Sequence, residues 1–187
     1  MIRCRSIRNS LLKRCAHQPA NRRGAVILEF LLVFPIVFFA TLAVFQFGLL
    51  MLTVQNATHA VIEGARTGAM LFPSATENEI ADEIVVAMNR ILKISGVEIG
   101  EDGTAAVLIE RGASSSITVG TLPSGDVITP EGASPEVGEV RVSLCFPLVN
   151  VPTSNVGYAR PVPDLLKWLG ISFAGAKFQL SSRALLE

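Results

Sequence analysis

"NRRGAVILEFLLVFP", residues 21–35, decides how the rest of this chain is read. Two arginines end at Gly24, a long apolar run begins, and one glutamate, Glu29, sits inside that run. From Phe30 to Ile62 no Asp, Glu, Lys or Arg interrupts the sequence. Its strongly apolar part, Phe30 to about Val54, is roughly 25 residues; as a helix it covers about 37 Å, enough to cross a hydrocarbon core of about 30 Å. A carboxylate in hydrocarbon costs about 2.5–3.5 kcal/mol at mid-bilayer and less near the interface. Taken alone, Glu29 reads as an interfacial carboxylate reaching the headgroups.

Composition agrees with a single anchor and one modest exported domain. Half of the 187 residues are hydrophobic and only 17% are charged, too apolar for an ordinary soluble domain and too polar for a multi-span transporter. The formal net charge of zero hides an asymmetry. Arg3, Arg5, Arg8, Lys13, Arg14, Arg22 and Arg23 precede the apolar run with no acid among them, and the remainder carries all 16 Asp/Glu against nine Lys/Arg. Basic residues on one side place the N-terminus in the cytoplasm and the C-terminal body outside, so the protein is expected in the inner (cytoplasmic) membrane as a single-pass chain. The apolar run is far longer than a secretory signal's core and no A-x-A site closes it, so the segment is read as a retained anchor. The basic part is too short, and lacks the fold, for nucleic-acid binding.

Within the anchor, Pro35 removes one helical hydrogen bond, which membrane helices tolerate where neighbours re-satisfy the carbonyl. Gln46 lies mid-span; it is either a tolerated uncharged polar residue or a contact to another helix. Past the anchor, "QNATHAVIEGARTGAM", residues 55–70, continues the helix and sets Ala60, Gly64 and Gly68 four apart, a small-residue stripe that lets a helix approach closely. Glu63 and Arg66, three apart, are placed to form an exposed pair worth a few tenths of a kcal/mol. Asn56-Ala57-Thr58 fits a glycosylation sequon but begins too near the membrane and is read as coincidence.

The order of basic residues, Gly24, four apolar residues Ala25–Leu28, then Glu29-Phe30 and a long apolar helix resembles the class III signal of type IV prepilins and pseudopilins. In that family a membrane prepilin peptidase cuts after the glycine and the helix is kept. The resemblance implies cleavage between Gly24 and Ala25, a basic leader of residues 1–24, a transmembrane helix of 25–54 and an exported domain of 55–187. Glu29 then becomes the fifth mature residue, whose carboxylate pairs with the new α-amino group of a neighbouring subunit.

Ala60-Val61-Ile62-Glu63-Gly64-Ala65-Arg66, together with Glu29-Phe30 through Pro35, is similar to the TadE-like family, pseudopilins of the tight-adherence (Flp) pilus system. Where many members carry glutamate before a glycine late in the span, this chain has Gln46-Phe47-Gly48. The resemblance implies a minor pseudopilin in pilus assembly and cell adhesion, with the membrane, prepilin peptidase, other pilin subunits and the Tad assembly platform as partners. Two alternatives share parts of the pattern: a minor pseudopilin of a type II secretion system, and an unprocessed single-span envelope protein with an exterior binding domain.

In the body, Thr76 caps a helix from Glu77 to about Ser95, with Glu79 as capping-box partner and Gly96 as the stop. Ile80, Ile84, Val85, Met88, Ile91 and Leu92 form its apolar stripe, expected to pack on the outer half of the first helix. Strands follow at Thr104–Glu110, Ser116–Thr121, Gly138–Leu148 and Ala176–Leu185. Gly138–Leu148 alternates, with Val140, Val142, Leu144 and Phe146 on one face and Glu139, Arg141, Ser143 and Cys145 on the other. Residues 121–138 and 150–164 are rich in Pro, Gly and Ser and read as loops; a short amphipathic stretch, Asp164–Leu169, contains Trp168. The expected fold is α+β, with a small mainly antiparallel sheet covered by helices.

No catalytic constellation is present: His17 is in the leader, His59 is an interfacial residue without ligand partners, and no glycine loop or carboxylate pair converges. The protein is read as a non-enzyme without cofactor, metal or small-molecule substrate. With the leader gone, Cys145 is the last cysteine and is read as a buried free thiol rather than an intermolecular bridge.

Overall fold

The computed structural model describes residues 22–71, 75–101, 104–112, 115–122, 127–129, 132–148, 162–167, 170–173 and 175–186. The basic leader up to Asn21, the loop 149–161 and Trp168 lie outside these residues. Six elements carry the fold: α1 (Arg22–Leu71), α2 (Glu77–Leu92), β1 (Ala106–Arg111), β2 (Ser115–Val119), β3 (Glu139–Pro147) and β4 (Lys177–Leu185). The chain divides into two units, up to Thr41 and from Leu42 onward.

The described part of the first unit is the N-terminal portion of α1. Most of its large apolar side chains are exposed, from Phe38 at 43% to Leu31 at 70%. Phe30, Phe34 and Phe38 recur every four residues and so share a face, their ring centroids 5.5 and 6.0 Å apart in succession. Thr41 settles its hydroxyl on the Val37 carbonyl at 2.8 Å, the way a helix hides a polar group among apolar ones. Pro35 lies inside the helix, where it leaves the Leu31 carbonyl without its usual donor.

In the second unit the rest of α1 buries Gln46, Thr53, Ala57, Ala60, Val61, Ala65 and Ala69. Apart from Ala60 and Val61, which lie side by side, successive members are three, four or seven apart, one face of a helix. Helix α2 begins as its sequence dictates: Glu79 Oε2 accepts from the Thr76 backbone N–H at 2.9 Å and from the Thr76 hydroxyl at 2.8 Å. It buries Ile80, Ala81, Ile84, Met88 and Leu92. After a short 3-10 turn at Lys93–Ser95, Gly96 takes φ 68°, which ends the helix in the left-handed region.

The sheet runs β2-β1-β3-β4, every neighbour antiparallel. Its inner face, with Val107, Ile109, Val140, Val142, Leu144 and Phe146, joins α1 and α2 in one core. Phe146 stacks on its cross-strand partner Phe178 with centroids 6.4 Å apart. Gly120, at φ 88°, ends β2 where a Cβ would lie 2.7 Å from the Ala105 carbonyl oxygen, so glycine is required there.

The outer face of β3 departs from the alternation. The strand is buried on both sides from Val140 to Pro147. Leu122 and Ile128, from the Pro/Gly-rich segment read as a loop, cover Ala106, Leu108 and Cys145. That segment is fastened by its backbone carbonyls: Ala133 O accepts from Arg141 Nη1 at 2.7 Å and from Arg183 Nη2 at 2.6 Å, and Thr129 O accepts from Gln179 at 2.6 Å. Arg141, 1% exposed, is neutralised by its cross-strand partner Glu110, whose Oε2 accepts from Arg141 Nε at 2.6 Å. A loop without regular structure thus serves as the second cover of the sheet. Beneath it Cys145 is a buried free thiol, its pKa pushed up because burial disfavours the thiolate.

Candidate functional site

The N-terminal residues singled out in the sequence lie together on the first unit's helix. Gly24, Ala25, Glu29 and Phe30 are all exposed. A Cβ on Gly24 would meet nothing within 4 Å. Glycine in a helix costs roughly 0.5–1 kcal/mol relative to alanine, and nothing in the fold requires it here. Glu29 bonds to no other side chain among the described residues, so its carboxylate faces outward from an otherwise apolar helix.

The second group is divided among different jobs. Gly64 and Gly68 face α2: a Cβ on Gly64 would stand 2.8 Å from Met88 Sδ, and one on Gly68 would stand 2.9 Å from Ile84 Cδ1. Ala60 is fully buried in the same core. The small-residue stripe therefore admits a helix of its own chain, and the close approach it permits is intramolecular. Asn56, within the sequon-like triplet, donates to Ser95 Oγ at 2.6 Å.

Glu63 and Arg66 are exposed and form no ion pair among the described residues. An exposed pair at that spacing gains only a few tenths of a kcal/mol, too little to outweigh hydration and side-chain freedom. Arg66 instead borders a groove of about 360 Å³ whose walls are Ile62, Ala65, Ala69 and Met70 of α1 and Ser182–Leu185 of β4. β4 is an outermost strand of the sheet, so this groove opens beside a strand paired on one side only.

Gln46 is fully buried, and its side-chain oxygen accepts the backbone N–H of Leu166 at 3.0 Å. The next residue, Phe47, meets Phe173 edge-to-face with ring centroids 6.2 Å apart. The amide at position 46 holds a loop rather than a helix. Sequence reasoning had no signal for this contact, which joins residues 120 positions apart. It equally missed the Glu110–Arg141–Ala133 clamp, though a lone arginine among the apolar residues of β3 was a visible anomaly. Among the described residues no group of three or more His, Cys, Asp or Glu could hold a metal ion.

Among the described residues one helix is long and apolar enough, by length and composition, to cross a membrane. Residues 24–66 match the family model described as TadE-like protein, the family that the Gly24–Pro35 and Ala60–Arg66 motifs resemble. No curated protein and no solved structure gives a significant match.

Proposed function

We propose, from a chain whose residues 24–66 are TadE-like, that this protein is a minor pseudopilin of a Flp/Tad-type pilus. It is made with a basic leader, cut by prepilin peptidase between Gly24 and Ala25, and held in the inner membrane by its first helix with the C-terminal body outside. The observation that carries this reading is the bare state of Gly24 and Glu29: among the described residues neither has a packing or bonding role. A glycine with no steric duty suits a protease cleft that takes an extended backbone closely. A carboxylate with no side-chain partner among the described residues is available to the α-amino group that cleavage creates on a neighbouring subunit. Each group is unfavourable near hydrocarbon and the pair is less so, which sets the register of assembling helices.

Intact mass and N-terminal sequencing of the protein from its own membranes test this directly. The expected mature chain has 163 residues and begins at Ala25. In that background Glu29→Ala is expected to abolish piliation while leaving the body folded. A chain still beginning at Met1 beside an active prepilin peptidase would leave an unprocessed anchored domain and sink the pseudopilin reading.

A further inference from the structure

We propose that the open edge of β4 and the groove beside it receive an extended segment of another protein as a fifth strand, a segment apolar and acidic on the side it turns to α1. The first observation is the direction of the β4 backbone. Leu186 N–H donates to Gly138 O at 2.8 Å, and Ala176 O accepts from Leu148 N–H at 2.9 Å. At both ends of β4 the even-numbered residues therefore bond toward β3. Antiparallel pairing alternates, so the odd-numbered residues point their N–H and C=O groups away from β3. Among the described residues no backbone group meets those of Gln179, Ser181, Arg183 and Leu185. A row of open donors and acceptors is a template for another strand.

The second observation is what lines the groove. It holds about 360 Å³ between Ile62, Arg66 and Met70 of α1 and Ser182–Leu185 of β4. Ile62 is 51%, Met70 60% and Leu185 72% exposed, three large apolar side chains about one opening. Exposed apolar groups gathered in one patch mark a surface that buries something. A strand laid along β4 sets every second side chain on the groove's side, because directly opposed residues share a face of the sheet.

The third observation is charge, and it selects the occupant. β4 carries Lys177 and Arg183 and no acid. Arg183 is already engaged, by Glu139 at 3.7 Å and by Ala133 O at 2.6 Å. Arg66 stands at the groove with no ion pair among the described residues, and Glu63 is not one of the groove's walls. A second copy of β4, run antiparallel over its full length, sets Lys177 diagonally beside Arg183 at both ends, and like charges oppose pairing. An occupant with carboxylates meets attraction where a second copy meets repulsion. The incoming strand thus offers large apolar side chains to Ile62 and Met70 and a carboxylate to Arg66.

The test uses two capped heptapeptides that read alike in either direction. One alternates threonine with valine, glutamate and valine; its twin has lysine in place of the glutamate. Binding to the full-length protein in detergent micelles is read by fluorescence anisotropy against protein-free micelles. The glutamate peptide is expected to bind about tenfold more tightly than the lysine peptide, and Arg66→Glu to reverse that order. Methylating the amide nitrogens of the threonines alone, or of the other residues alone, is expected to abolish binding in one case and spare it in the other, because only one edge of a strand faces β4. Ser181→Pro removes an outward N–H from an edge that tolerates proline, and is expected to weaken the glutamate peptide about tenfold. Equal binding of the two peptides, equal effects of the two methylation patterns, or no binding at all overturns the proposal. So does self-association of the free chain that Ser181→Pro abolishes, which gives the edge to a second copy. Leader cleavage and piliation enter none of these readouts, so the strand site and the pseudopilin reading fail separately.

Discussion

Two stretches of α1 are equally helical and opposite in what they ask of their surroundings. Between Val26 and Leu32, Val26, Ile27, Leu28, Phe30, Leu31 and Leu32 are each more than 60% exposed. Between Ala57 and Ala69, Ala57 and Ala60 are fully buried and Ala65 is 1% exposed. Among the described residues the large side chains stay exposed; the small ones are covered. Hydrophobicity alone does not separate these cases. Size and spacing do, because a helix can approach another closely only where its own side chains are small, while lipid accepts bulk on every side.

The contrast breaks first, and hardest, at the buried charge. Glu110→Ala is expected to destabilise the body by about 3–5 kcal/mol, since it strands a buried guanidinium. Replacing both Glu110 and Arg141 by leucine is expected to restore most of that stability, as desolvation is then removed from both sides. Chemical denaturation of the full chain in detergent measures both. If Glu110→Ala proved neutral, the clamp over the outer sheet face would not be closed.

A smaller effect separates two glycines of the same helix. Gly64→Val must displace Met88 and is expected to cost about 1–3 kcal/mol, partly relieved by Met88→Ala. Gly24→Ala meets open space and is expected to leave the body's stability unchanged within about 0.5 kcal/mol, while slowing removal of the leader. Thermal melting paired with the electrophoretic mobility of precursor and mature forms reads the two outcomes together. Equal melting losses at both positions would erase the distinction between the two stretches.

The mildest prediction concerns acid. The Thr76 backbone N–H and hydroxyl hold the Glu79 carboxyl below the usual glutamate range by favouring its charged form. Its contribution is therefore complete above the ordinary glutamate pKa and fades as pH falls through the lowered value. Amide exchange at the first turn of α2 is expected to quicken on that acid side, and Glu79→Gln is expected to flatten the response at the same residues. No pH dependence in the wild type would remove the carboxylate from the cap.

Local chemistry made much of this protein legible in its sequence. The unbroken apolar run, the Thr76–Glu79 capping box, the 3.6-residue stripe of α2 and the alternation of β3 each rest on residues close together in the chain, where periodicity and capping act. The α+β class and the antiparallel strands followed from them, and the TadE-like match over residues 24–66 agrees with the Gly24–Pro35 and Ala60–Arg66 motifs. Tertiary structure alone decided what covers each face. Whether Gly64 and Gly68 would meet a foreign helix or α2, whether Arg141 would face water or Glu110, and whether Gln46 would hold a helix or Leu166 depended on contacts between distant residues. A glycine, an arginine or a glutamine states what it can satisfy. Which group arrives to satisfy it is set by how the chain closes on itself, and that is a property of the packed whole.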